Sequence, residues 1–221
     1  MNKTKIEYLD FTWNPGVGCS GTGCAVREKC WAMRSAKRQK CPLCKAFVPH
    51  FHPERLNQPI KRILGATIGC CFSGEFFELE PEARAKILNV IHSAYWHEFL
   101  ILTKQPHKIP HEDYPDNLWI GVTINKVEDL WRLGLLKNRP GVKHRFISFE
   151  PLYEDLKLAN LEDIEWIIIG AQTRPLKLPA RTWVTNLMDS AEHRKIPVFM
   201  KNNLYNEDHA IFLQEFPSDL M

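Results

Sequence analysis

The feature that most constrains the fold of this chain is a pattern that repeats after about residue 65. A short apolar run rich in β-branched or aromatic residues ends in a small or polar residue, and a stretch with helical periodicity follows. The predicted strands are residues 66–72, 98–102, 118–122, 145–149, 166–169 and 198–200, and the predicted helices are 81–94, 127–136 and 182–195. This alternation indicates βα units.

Near-continuous apolar strands such as WIIIG, at residues 166–170, favour a parallel sheet buried on both faces. A further strand near residues 4–12 would bring the number to six or seven, which is fewer than a closed eight-stranded barrel requires. We therefore predict an α/β fold, a partial (β/α)6-type parallel barrel with an N-terminal cysteine-rich loop. All 221 residues fit one domain, with a basic, cysteine-rich segment (1–65), the βα repeats (66–204) and a C-terminal extension (205–221).

Polar residues follow successive predicted strands. Because the C-terminal ends of parallel strands share one edge of a sheet, these side chains are expected to line a common pocket, although each taken alone is also a typical cap or turn former. The residues singled out are Ser73, Gly74, Glu75, Lys104, Thr123, Asn125, Ser148, Glu150, Gln172 and Lys201.

Seven cysteines in a chain of this composition are more typical of metal ligands or buried apolar residues than of disulfides. Cys19, Cys24 and Cys30 lie four and five residues apart in a glycine-rich loop, so their thiolates can converge on one metal group. Soft thiolates select zinc, copper(I) or an iron–sulfur cluster. The alternatives are a zinc site or three unrelated buried cysteines.

A second group of metal-binding residues follows in C-P-L-C-K-A-F-V-P-H-F-H, which contains Cys41, Cys44, His50 and His52. Two thiolates at C-x2-C spacing with two imidazoles match a tetrahedral zinc site. Alternatively the cysteine pair joins Cys24 or Cys30 in one site, or the thiols are free and Pro42 makes a turn.

Cys70 and Cys71 are adjacent on a predicted strand, where neighbouring side chains face opposite sides. One of them would then face the barrel interior. Buried apolar packing is the favoured role for both.

The net charge of +3 is unevenly distributed, because residues 27–62 hold ten basic and two acidic residues. This segment, with Trp31, Phe47 and Phe51, suits a polyanion such as nucleic acid, or else a solvated face that offsets the charge of an anionic cluster. The sequence has no apolar run long enough to span a membrane and no signal peptide at its start, so a cytoplasmic location is expected.

Several motifs, in order from about residue 5 to residue 204, resemble a phage and prophage protein family of unassigned function. They are T-W-N-P-x-x-G-C, G-C followed by C-W-A, F-H-P-E-R-L-N-Q-P, S-G-E-F-F, L-T-K-Q-P, W-I-G-V-T, F-I-S-F-E-P-L, W-I-I-I-G and P-V-F-M-K-N. That family is similar to the radical S-adenosylmethionine (SAM) superfamily.

By this resemblance, Cys19, Cys24 and Cys30 would bind a [4Fe–4S] cluster with one iron left open for SAM. The implied SAM contacts are Ser73, Gly74, Glu75, Thr123, Asn125, Ser148 and Gln172. Lys104, Glu150 and Lys201 are the expected catalytic residues, the lysines for a substrate phosphate or the SAM carboxylate and Glu150 for a ribose hydroxyl or proton transfer.

The expected function is reductive cleavage of SAM to a 5′-deoxyadenosyl radical that acts on a nucleic acid or nucleotide, in repair or base modification. Such an enzyme needs an electron donor such as flavodoxin or ferredoxin. The alternative is a zinc-stabilised nucleic-acid-binding module without redox chemistry.

Overall fold

The computed structural model of the chain describes residues 1–22, 24, 26–204 and 212–220. Its centre is a mixed α/β structure around one eight-stranded sheet. The strands of this sheet, in chain order, are β1 (Asn2–Lys3), β2 (Phe11–Trp13), β5 (Thr67–Cys70), β6 (Glu98–Thr103), β7 (Leu118–Thr123), β8 (His144–Phe149), β9 (Trp166–Ile169) and β12 (Val198–Met200).

The order across the sheet is the order along the chain, from β1 to β12. All neighbouring pairs are parallel except β1 with β2. Two small antiparallel strand pairs lie outside the sheet, one formed by β3 (Gly16–Val17) with β4 (His50–Phe51), the other by β10 (Gln172–Thr173) with β11 (Leu176–Lys177). The largely parallel sheet confirms the coarse α/β prediction.

In the described part of the chain, five α-helices accompany the strands: α1 (Trp31–Ala36), α2 (Pro42–Ala46), α3 (Pro81–Ser93), α4 (Trp131–Lys137) and α5 (Arg181–Glu192). The last three follow β5, β7 and β9, as crossover connections in a parallel sheet require. Ile87 of α3, Leu133 of α4 and Leu187 of α5 join the large hydrophobic core on one face of the sheet.

A second, smaller core lies on the opposite face. It contains side chains from alternate positions of the strands, among them Leu100, Trp119, Phe146 and Trp166, packed with Tyr8. The alternation follows from the two-residue period of a strand, which sends Phe99 and Ile101 into the large core and Leu100 into the small one. Thr123 and Ser148 lie on the same face as the small core, further along β7 and β8.

The N-terminal prediction is partly wrong, because only Phe11–Trp13 of the region expected near residues 4–12 forms a strand of the parallel sheet. The residues before it turn, and β1 pairs antiparallel at the sheet edge. Helix α4 is also shorter than predicted, since Val127–Asp129 forms a 3-10 turn before it.

The expectation that Cys70 and Cys71 face opposite sides is wrong as well. The strand ends at Cys70, and Cys71 has a φ of +58°, which turns its sulfur to 3.8 Å from that of Cys70 within the large core. Alternation applies only where the backbone stays extended.

Residues 205–211 and 221 of the predicted C-terminal extension lie outside the described residues. The described part returns along β12, where the Met200 amide donates to the Leu213 carbonyl over 2.7 Å. Phe216 packs against Trp166 and Phe199 and so covers the small core. Among the described helices none is long and apolar enough to cross a membrane.

Candidate functional site

A cavity of about 280 Å³ opens at the C-terminal edge of the parallel strands. Ile6, Tyr8, Phe72 and Leu102 supply apolar walls, and each of these side chains also belongs to or packs on the small core. The cavity therefore continues the interior of the sheet's second face towards the loops. In parallel α/β folds this edge is where ligands bind.

Cys19, Cys24 and Cys30 all line this cavity. Cys19 follows the β3 strand, and Cys30 precedes the first turn of α1. Gly21, with a φ of +74°, lets the loop turn back, and its amide donates to the Cys19 sulfur over 3.2 Å. The Met33 amide of α1 donates to the Cys30 sulfur over 3.4 Å. Amide donors of this kind stabilise thiolates and tune the potential of a bound cluster.

Burial raises the pKa of Cys19 to about 11. The thiol therefore holds its proton at neutral pH. A metal bound at this loop would have to displace that proton, so its binding would strengthen as the pH rises.

The strand-end residues gather largely as predicted. Those that line the cavity are Gly74, Glu75, Lys104, Thr123, Ser148, Glu150, Gln172 and Lys201. Two predicted residues do not line it. The Ser73 backbone amide donates to Asn14 Oδ1 over 2.8 Å, and Asn125 is fully buried with its side-chain Nδ2 donating to the Pro151 carbonyl over 2.8 Å. Both residues shape the loops instead.

Two buried hydroxyls at the cavity have no hydrogen-bond partner within the described residues. They are Thr123 Oγ1 and Ser148 Oγ, at paired positions of β7 and β8. Buried polar atoms are rarely left unpaired in proteins. A polar ligand in the cavity would supply the missing partner.

Glu75 is a buried carboxyl at the cavity wall. Burial raises its pKa to about 7, although the amides of Phe77 and Lys104 each approach one of its oxygens to 3.4 Å. A buried carboxylate poised near neutrality gains most from a cationic partner such as an ammonium group.

Glu150 and Lys201 form an ion pair of 2.5 Å across the ends of β8 and β12. Gly170 makes this approach feasible, because an added Cβ would lie 3.0 Å from Glu150 Cγ and 3.1 Å from Lys201 Cδ. The pair holds a proton donor and an acceptor together at the cavity.

Sequence reasoning missed Glu78, which anchors the cysteine loop. Its carboxylate accepts from the Ser20 amide over 2.6 Å and from Gln105 and Lys108 over 2.8 Å each. Burial alone would raise the pKa of Glu78, but the hydrogen bonds from Lys108 and Ser20 lower it to about 2. The sequence carries no local signal for this role, because Ser20 and Lys108 lie 58 and 30 residues away from Glu78.

The cavity wall is strongly basic. It carries two acidic residues, Glu75 and Glu150, and six basic ones: Arg27, Lys29, Arg34, Lys104, Arg174 and Lys201. Trp31 lies at the same wall with half of its surface exposed. The expected aromatic group is smaller than predicted, because Phe47 is buried beneath Arg27 and Phe51 is partly buried against the core.

The second predicted metal group is separate from the cavity. The ligand atoms of Cys41, Cys44, His50 and His52 all lie within 4.8 Å of one another. Among the described residues, the three cavity thiols form no group that compact. The backbone amide of Cys44 lowers the pKa of Cys41, and burial raises that of Cys44. Within the described residues, this compact group includes neither Cys24 nor Cys30.

The profile of a family described as "Protein of unknown function (DUF5131)" matches residues 3–210. No curated protein matches the chain. A solved structure, "Spore photoproduct lyase complexed with dinucleoside spore photoproduct", is similar with a TM-score of 0.54 at 10% sequence identity. The match covers 86% of this chain and 63% of the lyase chain, so this chain spans less than two thirds of that structure. At this identity the likeness shows the fold alone.

Proposed function

We propose that this chain, which belongs to the protein family DUF5131, is a radical SAM enzyme acting on a nucleic acid or nucleotide. The observation that carries the proposal is the convergence of Cys19, Cys24 and Cys30 on one cavity at the strand ends. The fold shared with spore photoproduct lyase, a radical SAM protein, supports this class. The small core beneath the cavity fits the filled interior of a partial (β/α)6 barrel.

Within the described residues, the three cavity thiols form no group as compact as the ligands of one ion, which favours a cluster over a single ion. Sulfurs that share one tetrahedral zinc lie about 3.8 Å apart. In a [4Fe–4S] cluster each thiolate binds a different iron, so the sulfurs lie further apart. Three protein ligands would also leave one iron free for SAM.

The remaining cavity residues fit SAM by their chemistry. Glu75 would accept from the SAM ammonium, and the unpaired hydroxyls of Thr123 and Ser148 would bond its ribose or carboxylate. Gln172, held by Tyr153 over 2.8 Å, and Gly74 complete the wall. A bound cluster and SAM would supply reductive cleavage of the sulfonium carbon–sulfur bond and a 5′-deoxyadenosyl radical, with an electron from a donor such as flavodoxin or ferredoxin.

The residues beside that position would bind the substrate. Lys104 makes no ion pair within the described part of the chain, so its charge is available for a phosphate or for the SAM carboxylate. Glu150 and Lys201 would hold a proton at the substrate, and Trp31 offers a face on which a base can stack. The basic wall favours a polyanionic substrate, and the lyase structure contains a dinucleoside.

The test is anaerobic purification of the full chain, reconstitution with iron and sulfide, and incubation with SAM and dithionite. The expected result is a brown protein that releases 5′-deoxyadenosine. Cys30→Ala should lose both properties, whereas the matched variant Cys71→Ala, which changes a buried cysteine outside the cavity, should keep them. A full four-iron cluster in Cys30→Ala would refute the ligand assignment.

The second candidate is a zinc-stabilised nucleic-acid-binding module without redox chemistry. The compact Cys41, Cys44, His50 and His52 group favours it, but it gives the three cavity thiols no role. A colourless protein with stoichiometric zinc and no iron after reconstitution would support this second function.

A further inference from the structure

The four side chains of the second metal group are spaced like the ligands of one ion. The Cys44 sulfur lies 3.4 Å from His50 Nε2 and 3.2 Å from His52 Nε2, and the Cys41 sulfur lies 3.7 Å from His50 Nε2. Ligands about 2.0 to 2.3 Å from a tetrahedral zinc are about 3.3 to 3.8 Å apart. The three sulfur-to-nitrogen distances therefore fit a single zinc site to about 0.1 Å, and the 2.9 Å between the two Nε2 atoms is about 0.4 Å shorter than zinc would set it.

The hydrogen bonds of the two imidazoles define which nitrogens are free to bind a metal. His50 Nδ1 lies 2.8 Å from the Val48 carbonyl oxygen, and His52 Nδ1 lies 2.8 Å from Glu54 Oε1. Both partners only accept hydrogen bonds, so both Nδ1 atoms carry the proton. This is the arrangement that metal-bound histidines show in proteins.

With their Nδ1 atoms protonated, both histidines present a lone pair at Nε2. These two atoms face each other across 2.9 Å, with the Cys44 sulfur against both. Two lone pairs this close repel one another unless a positive charge, either a shared proton or a metal ion, lies between them. Cys44 is fully buried, so water cannot easily screen the group.

We propose that Cys41, Cys44, His50 and His52 bind one structural Zn²⁺. Thiolate and imidazole ligands select this metal, and four protein ligands leave no open position for catalysis. All four ligands lie within twelve residues of sequence, and local elements place most of them. Pro42 starts α2 directly after Cys41, Phe47 ends that helix at a φ of +56°, and the extended β4 segment brings both histidines to one side.

The ion would hold the loop that carries Cys19. β4 pairs with β3, the His52 amide donates to the Pro15 carbonyl over 2.7 Å, and the Cys19 amide donates to the Phe47 carbonyl over 3.1 Å. Gly18, with a φ of +93°, permits this packing, since an added Cβ would lie 2.1 Å from the Val48 oxygen. Zinc thereby positions the cavity thiol Cys19, a consequence that rests on the proposed function.

The test is the metal content of the full chain purified anaerobically, measured by mass spectrometry. About one zinc per chain is expected in the wild type. Cys41→Ala should contain none, whereas Cys30→Ala, a matched cysteine of similar exposure at the cavity, should keep its zinc. Cobalt(II) in place of zinc should give the intense visible bands of a tetrahedral thiolate site in the wild type and in Cys30→Ala only.

His50→Cys covers the case in which Cys41→Ala does not fold, because it replaces one zinc ligand by another. It should retain one zinc and strengthen the sulfur-to-cobalt charge-transfer band. Wild type without zinc or cobalt binding, iron at this group, or unchanged zinc in Cys41→Ala would each overturn the proposal. Because zinc is counted independently of iron, failure of the radical SAM assignment leaves this result readable. Reduced iron loading in Cys41→Ala would support the link to Cys19, and full loading would refute that link.

Discussion

The two cysteine groups of this chain differ in the number of protein ligands they offer. We call the four-residue group of Cys41 and Cys44 the closed group, and the three cavity cysteines the open group. Cys41 and Cys44 face two histidines whose ring nitrogens complete a four-ligand shell. Cys19, Cys24 and Cys30 face a cavity with basic walls and two hydroxyls that have no hydrogen-bond partner among the residues the structure describes. The same soft ligand thus has two roles, since a closed ligand shell stabilises a fold while an open one leaves a metal accessible for chemistry.

Exposure to air should separate the two groups completely. When the anaerobically loaded chain is oxidised and desalted, we expect it to lose its brown colour and its iron. Zinc should stay at about one per chain, because zinc has no redox chemistry and the Cys44 sulfur is buried. Iron and zinc measured before and after exposure check this. Loss of zinc with retention of iron would reverse the assignment of the two groups.

Glu75→Gln should change the stability of the chain in a pH-dependent way and leave the closed group unaffected. The pKa of Glu75 lies near 7 in the folded chain against a usual 4.5, so the folded state loses stability as the pH rises through this interval. In the iron-free chain at pH 8, the substitution should therefore raise the free energy of unfolding by up to about 3 kcal/mol. At pH 5 the gain should be small.

Urea denaturation at the two pH values measures this effect, and unchanged zinc content shows that the closed group is intact. A gain of equal size at pH 5 and pH 8 would show that ionisation of Glu75 is not its cause. SAM should also bind less tightly to Glu75→Gln, with a loss that grows above pH 7.

Glu78→Gln should weaken the contact that holds the loop of Cys19 to the residues after β5 and β6. The charged hydrogen bonds from Ser20 and Lys108 contribute about 2 kcal/mol. Because the pKa of Glu78 is lowered from 4.5 to about 2, this stabilisation is present above pH 4.5 and is lost as the pH falls towards 2.

Thermal unfolding of wild type and Glu78→Gln should consequently differ most at neutral pH and converge in acid. Iron loading should fall while zinc stays at one per chain. A drop in zinc instead would mean that Glu78 supports the whole N-terminal segment and not the open group alone.

The parts of the fold that the sequence predicted well are those that depend on local pattern. Strands 166–169 and 198–200 have the predicted bounds because they are buried on both faces, which makes the apolar run itself the strand. The closed group could be predicted for the same reason, since its four possible ligands lie within twelve residues of sequence.

The parts that could not be predicted depend on tertiary contacts or on single backbone angles. The positive φ of Cys71 ended its strand and reversed a side chain that alternation had assigned to the other face. Ser73 and Asn125 follow strands but turn into loop contacts, because the period of two stops where the strand stops. Glu78 acquires its partners only when the loops of Ser20 and Lys108 meet.

The smallest expected effect compares one exposed apolar side chain from each region. Trp31 lies on α1 directly after Cys30 at the cavity, and Leu43 lies on α2 directly before Cys44, with about half of each side chain exposed. Trp31→Ala should weaken binding of a short single-stranded DNA by about 1 kcal/mol, or about five-fold, because a stacked base loses its aromatic partner. Leu43→Ala should leave the affinity unchanged. Fluorescence anisotropy at fixed salt measures the DNA affinity of both variants. Equal losses of affinity would mean that the nucleic-acid surface includes the closed group as well as the cavity.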